Sequence, residues 1–222
     1  MILPDEIKRT NRKSITIKID RKGRLIVLAP YFCDEKSIMD FVEKKRDWIK
    51  KYTEKVKSSN STYDIEKAIK KGRVFLLGRQ YPLKFCECSR GGIIEGCFVV
   101  PVQFKDSAEN YLKKWYMTKA KLYLAEMLNK QAVMLKENNF TFGLTSAKAR
   151  WGSCGADRKI SLNYKLLMCP DKVTEYVIIH ELCHLEYMNH GKSFYEKVTL
   201  FCPNYKKYDK WLKDNAGILN AF

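Results

Sequence analysis

The chain has 222 residues, with 42 basic side chains against 25 acidic ones and a formal charge of +17. Its 45% hydrophobic and 30% charged content is ordinary globular usage, which excludes a disordered or collagen-like chain. No apolar run approaches the ~18 residues a membrane span needs, and the length suits one sizeable domain or a domain with an appendage.

The opening Met1-Ile2-Leu3-Pro4-Asp5-Glu6 is acidic where an export signal would be basic and then apolar, so a cytoplasmic protein is expected. In a reducing compartment the eight cysteines read as small buried hydrophobes rather than disulfides. Cys86, Cys88 and Cys97 lack the spacing of a zinc knuckle and read as neighbouring strand residues. The positive charge is even along the chain, +9 over residues 1–110 and +8 over 111–222, and is carried by 32 lysines and 10 arginines. Such a coat keeps a protein soluble and attracts anionic partners at low salt, so a nucleic acid or nucleotide partner is a possibility to test.

Ser14 to Asp20 alternates with period two, Arg21-Lys22-Gly23 can turn, and Arg24 to Leu28 can return as a second strand. From Asp34 the spacing becomes helical, with Ile38, Phe41, Val42, Trp48, Ile49 and Tyr52 on one face of a single helix. Residues 57–62 read as a solvated linker. Two hairpins follow, Val74–Leu77 with Tyr81–Phe85 around Gly78-Arg79-Gln80, and Ile93-Ile94 with Cys97–Val100 around Glu95-Gly96. A long helix is predicted from Ala108 to Glu137, then strands at Phe140–Leu144 and Lys159–Asn163, then a helix begun by Pro170. The expected organisation is a β-rich region with one helix over 1–105 and a catalytic domain over 106–222.

The chemistry concentrates in one place. The sequence has three histidines, His180, His184 and His190, all within eleven residues. His180-Glu181-Leu182-Cys183-His184 matches H-E-x-x-H on the predicted helix. Residues four apart on a helix lie one turn apart and nearly in line, so both imidazoles can reach one cation. Glu181 is rotated ~100° from His180, close enough to act as general base without being a ligand. A hydrolytic zinc site needs a third protein ligand and an open position. His190 can supply it only if the helix stops and the chain turns back, and a break near Met188 is expected, using Asn189 and Gly191. The offsets equal those of the metzincin motif, but Tyr187 stands where that motif has glycine. Glu196, Asp209 and Asp214 are the carboxylate alternatives for the third ligand. Cys183 projects away from the metal side and reads as core.

At these residues the chain resembles the YgjP-like family of metal-dependent hydrolases, relatives of the WLM and SprT-like zincins. The resemblance is carried by Arg150-Trp151-Gly152-Ser153-Cys154, Ile160 to Tyr164, Val177 to Leu185, Asn189-His190, Phe194, Cys202-Pro203-Asn204-Tyr205 and Trp211-Leu212. More weakly it is carried by Phe41 to Ile49 and Leu77 to Tyr81. Gly191 stands where the family usually has serine. The resemblance implies an α+β fold, a zincin-like metallopeptidase core with an N-terminal β-rich subdomain. It also implies Zn2+ on His180, His184 and His190, with Glu181 as general base.

The leading expectation is therefore hydrolysis of a polypeptide substrate by metal-activated water. An edge strand near Lys159–Asn163 is expected to hold an extended peptide by strand addition. Arg150, Asn163 and Tyr205 are candidate substrate-binding donors for the developing negative charge. Three further readings stay open: a phosphoanhydride hydrolase acting on nucleotides, a DNA-associated SprT-like protease, and a binding module with a closed structural metal. Glu181 beside the histidines speaks against the last, since a structural site has no use for a base.

Overall fold

The computed structural model describes residues 2–20, 23–58 and 71–220. The chain divides into two compact units, Met1–Asn60 and Ser61–Phe222. The division falls at 60/61, not at the expected 105/106, for a packing reason. Val74, Phe75, Phe98 and Val100 belong to the same buried cluster as Leu112, Tyr116 and Leu124 of the long helix. The two central hairpins are thus part of the larger unit's core.

In the first unit three strands, β1 (Glu6–Thr10), β2 (Thr16–Ile19) and β3 (Leu25–Pro30), form a sheet of order β1-β3-β2. β2 and β3 pair antiparallel with Ile17 opposite Val27, as the alternation predicts. β1 pairs parallel to β3 and has no clear period-two signal in the sequence. Two helices follow instead of one, α1 (Glu35–Lys44) and α2 (Arg46–Ser58), parted at Lys45. Asp34 caps α1 through its carboxylate and the Ser37 N–H. The buried residues are Ile38, Val42 and Ile49, packed with Leu25, Val27 and Ala29. Trp48 and Tyr52, expected on that face, stack on each other at 5.0 Å and stay 45% and 44% exposed. Of the expected linker, residues 57 and 58 close α2 and 59–62 lie outside the described residues.

Among the described residues the larger unit opens with the sheet β4 (Arg73–Leu76), β5 (Arg79–Cys86), β7 (Cys97–Pro101) and β6 (Gly92–Ile94), in the order β4-β5-β7-β6. Both hairpins form. The first turns on Leu77-Gly78, not on Gly78-Arg79-Gln80, with φ of 49° and 78°. Glu95-Gly96 does the same with 48° and 74°. Positive φ at both central residues is the turn whose twist suits a two-residue hairpin. The Leu77-Gly78 turn also docks on the approach to the active helix. Leu77 N–H donates to Leu167 O at 2.8 Å and Gly78 N–H to Met168 O at 3.2 Å. A Cβ at Gly78 would sit 2.9 Å from Pro170 Cγ, so glycine serves both the turn and the contact.

α3 (Ala108–Leu135) runs through the core and ends at Lys136, which takes the left-handed cap conformation. Its buried line, Leu112, Tyr116, Ala120, Leu124 and Leu128, recurs every four residues. A second sheet follows, β8 (Thr141–Thr145), β9 (Gly152–Cys154) and β10 (Lys159–Asn163), ordered β8-β10-β9. β10 is therefore the central strand, paired parallel to β8 and antiparallel to β9. The expectation that Lys159–Asn163 lies at an edge is corrected: the edges are β8 and β9. Three helices complete the unit, α4 (Asp171–Cys183), α5 (Lys192–Phe201) and α6 (Tyr205–Asp214). Among the described residues no helix is long and apolar enough to cross a membrane.

Candidate metal centre

α4 carries His180 and Glu181 in its last turn and ends at Cys183, so His184 is its C-terminal cap. The helix stops a turn earlier than the expected break at Met188. It does so by tightening: Leu185 N–H donates to Leu182 O at 3.1 Å and Glu186 N–H to Cys183 O at 3.2 Å, both three residues back. Neither Asn189 nor Gly191 takes a positive φ, and Gly191 instead caps α5 in an extended conformation. The turn from 184 to 190 is held from behind by charge. Lys197 Nζ binds Glu186 at 2.7 Å and Glu137 at 2.6 Å, while Arg158 donates to Leu185 O at 3.3 Å.

The result is convergence of three imidazoles. Their ring centroids lie 4.7–5.0 Å apart, and one nitrogen from each falls within 4.8 Å of the others. His180 Nε2 and His190 Nε2 are 3.1 Å apart. His184 Nδ1 donates to Tyr187 O at 2.9 Å, because a carbonyl can only accept. That bond fixes the tautomer and leaves the Nε2 lone pair of His184 free, the usual arrangement for a metal-ligating histidine. Phe194 on α5, fully buried, touches all three rings: stacked on His184 at 4.6 Å and edge-on to His180 at 4.9 Å and His190 at 4.8 Å. One side chain thus forms the floor of the site.

The electrostatics favour neutral ligands. Burial, followed by the repulsion of His184 and His190, brings His180 down to about 4, and burial lowers His184 as well. Such rings keep their lone pairs at neutral pH. His180 Nδ1 is buried without a hydrogen-bond partner among the described residues. Two ring nitrogens at 3.1 Å are close enough to face one cation, so the donor set suits a small divalent ion.

A stability effect follows. For a histidine held low in the fold, the unfolded chain takes its proton first, near pH 6.5. Stability is therefore present above that value and lost as pH falls from 6.5 toward about 4. The loss in metal-stripped protein is at most about 3 kcal/mol. Urea denaturation at pH 7 and pH 4.5 is expected to show a fall that His180→Gln diminishes; an equal fall in both proteins would contradict the assignment.

Glu181 is 6% exposed, and burial raises its carboxyl to about 8 against the lowering pull of Arg150. Cys183 is buried core, as expected, and its thiol is pushed up to about 12 by burial. The other site candidates scatter. Asn163 is fully buried, with its amide donating to Ala147 O at 2.8 Å and Arg150 O at 3.1 Å and its carbonyl accepting from Lys165 N–H at 3.2 Å. It pins the loop before β9 and has no donor left for a substrate. Arg150 is exposed, and its field reaches Glu181. Tyr205 starts α6 in an aromatic row with Tyr195 at 5.6 Å and Tyr176 at 6.3 Å; Tyr176 in turn meets His180 at 5.9 Å and Tyr195 meets His190 at 6.1 Å. Of the carboxylate alternatives, none joins the histidine cluster: Glu196 pairs with Lys192 at 3.7 Å and Asp209 with Lys213 at 2.5 Å. Motif reading gave no role to Phe194, Tyr176 or Tyr195. The signal for Phe194 was its place four residues past His190, which puts it on the first turn of the returning helix.

Residues 13–215 match the YgjP-like family, metallopeptidase domain. The chain belongs to that family. Comparison with curated proteins finds no significant match. Among solved structures the chain is similar to the metallopeptidase zymogen of Pyrococcus abyssi abylysin, at 21% identity and a TM-score of 0.38, covering 40% of this chain and 92% of that one. As a YgjP-like metallopeptidase-domain protein with a three-histidine group able to hold a metal, the chain is of the metal-dependent hydrolase class.

Proposed function

We propose that this YgjP-like protein is a zinc-dependent peptidase in which His180, His184 and His190 hold the metal and Glu181 is the general base. The observation that carries the reading is the convergence of three imidazoles beside a buried carboxylate, Glu181, one residue along the helix from His180. Zinc–nitrogen distances of 2.0–2.1 Å in tetrahedral sites space ligand nitrogens by about 3.3 Å, close to the 3.1 Å between His180 Nε2 and His190 Nε2. A bound zinc ion supplies Lewis acidity there, making water acidic near neutral pH and polarising a carbonyl. Glu181 accepts the proton of the attacking water at a carboxylate oxygen and hands it to the leaving amine. Burial raises its affinity for protons in the metal-free fold, and a cation held beside it would lower that affinity and leave a carboxylate able to accept one.

The substrate is an extended polypeptide laid along β9, the edge strand whose Gly152 abuts Glu181. The aromatic row of Tyr176, Tyr195 and Tyr205 borders the histidines from the helical side and offers an apolar wall for a side chain next to the scissile bond. The lysine-rich surface makes an anionic partner, nucleic acid or nucleotide, the alternative to test. Unfolded polypeptide, nucleoside triphosphates and DNA-bound protein, offered side by side to zinc-loaded enzyme, decide among these. Cleavage of polypeptide alone is expected. Hydrolysis of triphosphates alone, or proteolysis only with DNA present, would replace the reading. His190→Ala is expected to weaken zinc binding by at least tenfold in a competition titration with a chromophoric chelator, and unchanged affinity would move the third ligand elsewhere.

A further inference from the structure

We infer that Gly152 is a positioning residue for Glu181: the missing side chain at this point of β9 is the slot in which the carboxylate lies. The inference rests on the role proposed above for Glu181, but its structural part stands apart from that role. A Cβ built on Gly152 would lie 2.6 Å from Glu181 Oε1, 2.8 Å from Cγ and 2.9 Å from Cδ. All three contacts are to one side chain, and no other group comes as near. Gly152 does not have a positive φ, so its backbone is open to any residue and the glycine is not there for a turn.

Among the described residues no hydrogen bond or ion pair anchors Glu181, and Arg150 acts on it only through its field. A buried carboxylate without a hydrogen-bonded anchor is placed by the walls around it. The wall here is β9, and β9 is itself fixed. Gly152 pairs with Leu162 of the central strand β10. The next residue, Asn163, donates from its main chain to Trp151 O at 2.8 Å and from its side chain to Arg150 O and Ala147 O. The buried amide of Asn163 therefore holds the strand that holds Glu181. This gives the Arg150-Trp151-Gly152 stretch and Asn163, which do not meet the histidines, a part in the site.

The slot has a consequence for reaction geometry. A misplacement of a reacting group by about 1 Å can cost on the order of 100-fold in rate. A methyl group at position 152 must push Glu181 aside by several tenths of an ångström, since all three contacts fall below the separation real Cβ atoms keep. None of the three atoms nearest that methyl belongs to a histidine.

The test compares wild type, Gly152→Ala, Glu181→Asp and Gly152→Ala/Glu181→Asp, each zinc-loaded. Gly152→Ala is expected to keep one zinc per chain while kcat falls by roughly 10- to 100-fold. Glu181→Asp alone loses rate because its acid is withdrawn, but that shorter acid no longer meets residue 152, so adding Gly152→Ala to it is expected to cost less than about threefold. A general packing defect would cost the same beside either acid. Crystal structures of wild type and Gly152→Ala read the claim without any assay, and the carboxylate is expected to move away from residue 152. A carboxylate in the same place, or an undiminished kcat, overturns the inference. If wild type cleaves no polypeptide, the functional reading fails, and the crystal comparison still decides the slot. If Gly152→Ala does not fold, recovery of folding in the double variant supports the slot, and failure of both overturns it.

Discussion

Glu181→Gln is expected to leave zinc content at one per chain and to reduce polypeptide cleavage by 100- to 10,000-fold, roughly the range attributed to a positioned general base. The substitution is nearly isosteric, so the slot beside Gly152 still accepts it. What it removes is the oxygen able to take a proton. The fold gains nothing from the charge, because burial already disfavours the ionised form. The melting temperature of the metal-stripped variant should therefore equal or exceed that of wild type. Stopped cleavage with retained zinc separates a base from a ligand; activity within a few-fold of wild type would take Glu181 out of the chemistry.

Phe194→Ala is expected to have the largest effect on stability. Its ring is fully buried and lies under all three imidazoles. Emptying such a position costs about 3–5 kcal/mol in transfer and cavity terms. The loss is not confined to folding. With the floor gone, three rings that Phe194 holds in mutual range gain rotational freedom, and zinc affinity should fall as well. Urea denaturation of the metal-free variant measures the first effect and chelator competition the second. Phe194→Leu, which refills much of the volume, should recover more stability than zinc affinity, because a branched aliphatic chain cannot offer one flat face and two edges. A drop below 1 kcal/mol would show that the ring is not the floor.

Much of this was legible in the residues. H-E-x-x-H with a third histidine six residues on announced the cluster, since helical spacing and ligand chemistry leave few other uses for every histidine in a chain. Period-two alternation gave β2 and β3, and Glu95-Gly96 gave its hairpin. Other features depend on neighbours that a linear reading does not supply. Whether Lys159–Asn163 is an edge or a centre depends on β9, a three-residue strand too short to show a period. The helix end at Cys183 depends on main-chain bonds of Leu185 and Glu186, not on a glycine or asparagine signal. Asn163 read as a donor to substrate because its type permits it, and only the backbone oxygens of Ala147 and Arg150 show where its hydrogens go. The boundary at 60/61 reflects Phe75 and Phe98 packing with α3, a long-range contact with no local mark.

The central claim is a single ion held by three imidazoles. The most direct measurement is anomalous diffraction at the zinc edge from crystals of zinc-loaded protein. One peak is expected, within bonding distance of a nitrogen of His180, His184 and His190. A peak held by other residues, or zinc-loaded crystals with no peak between these rings, would contradict the account.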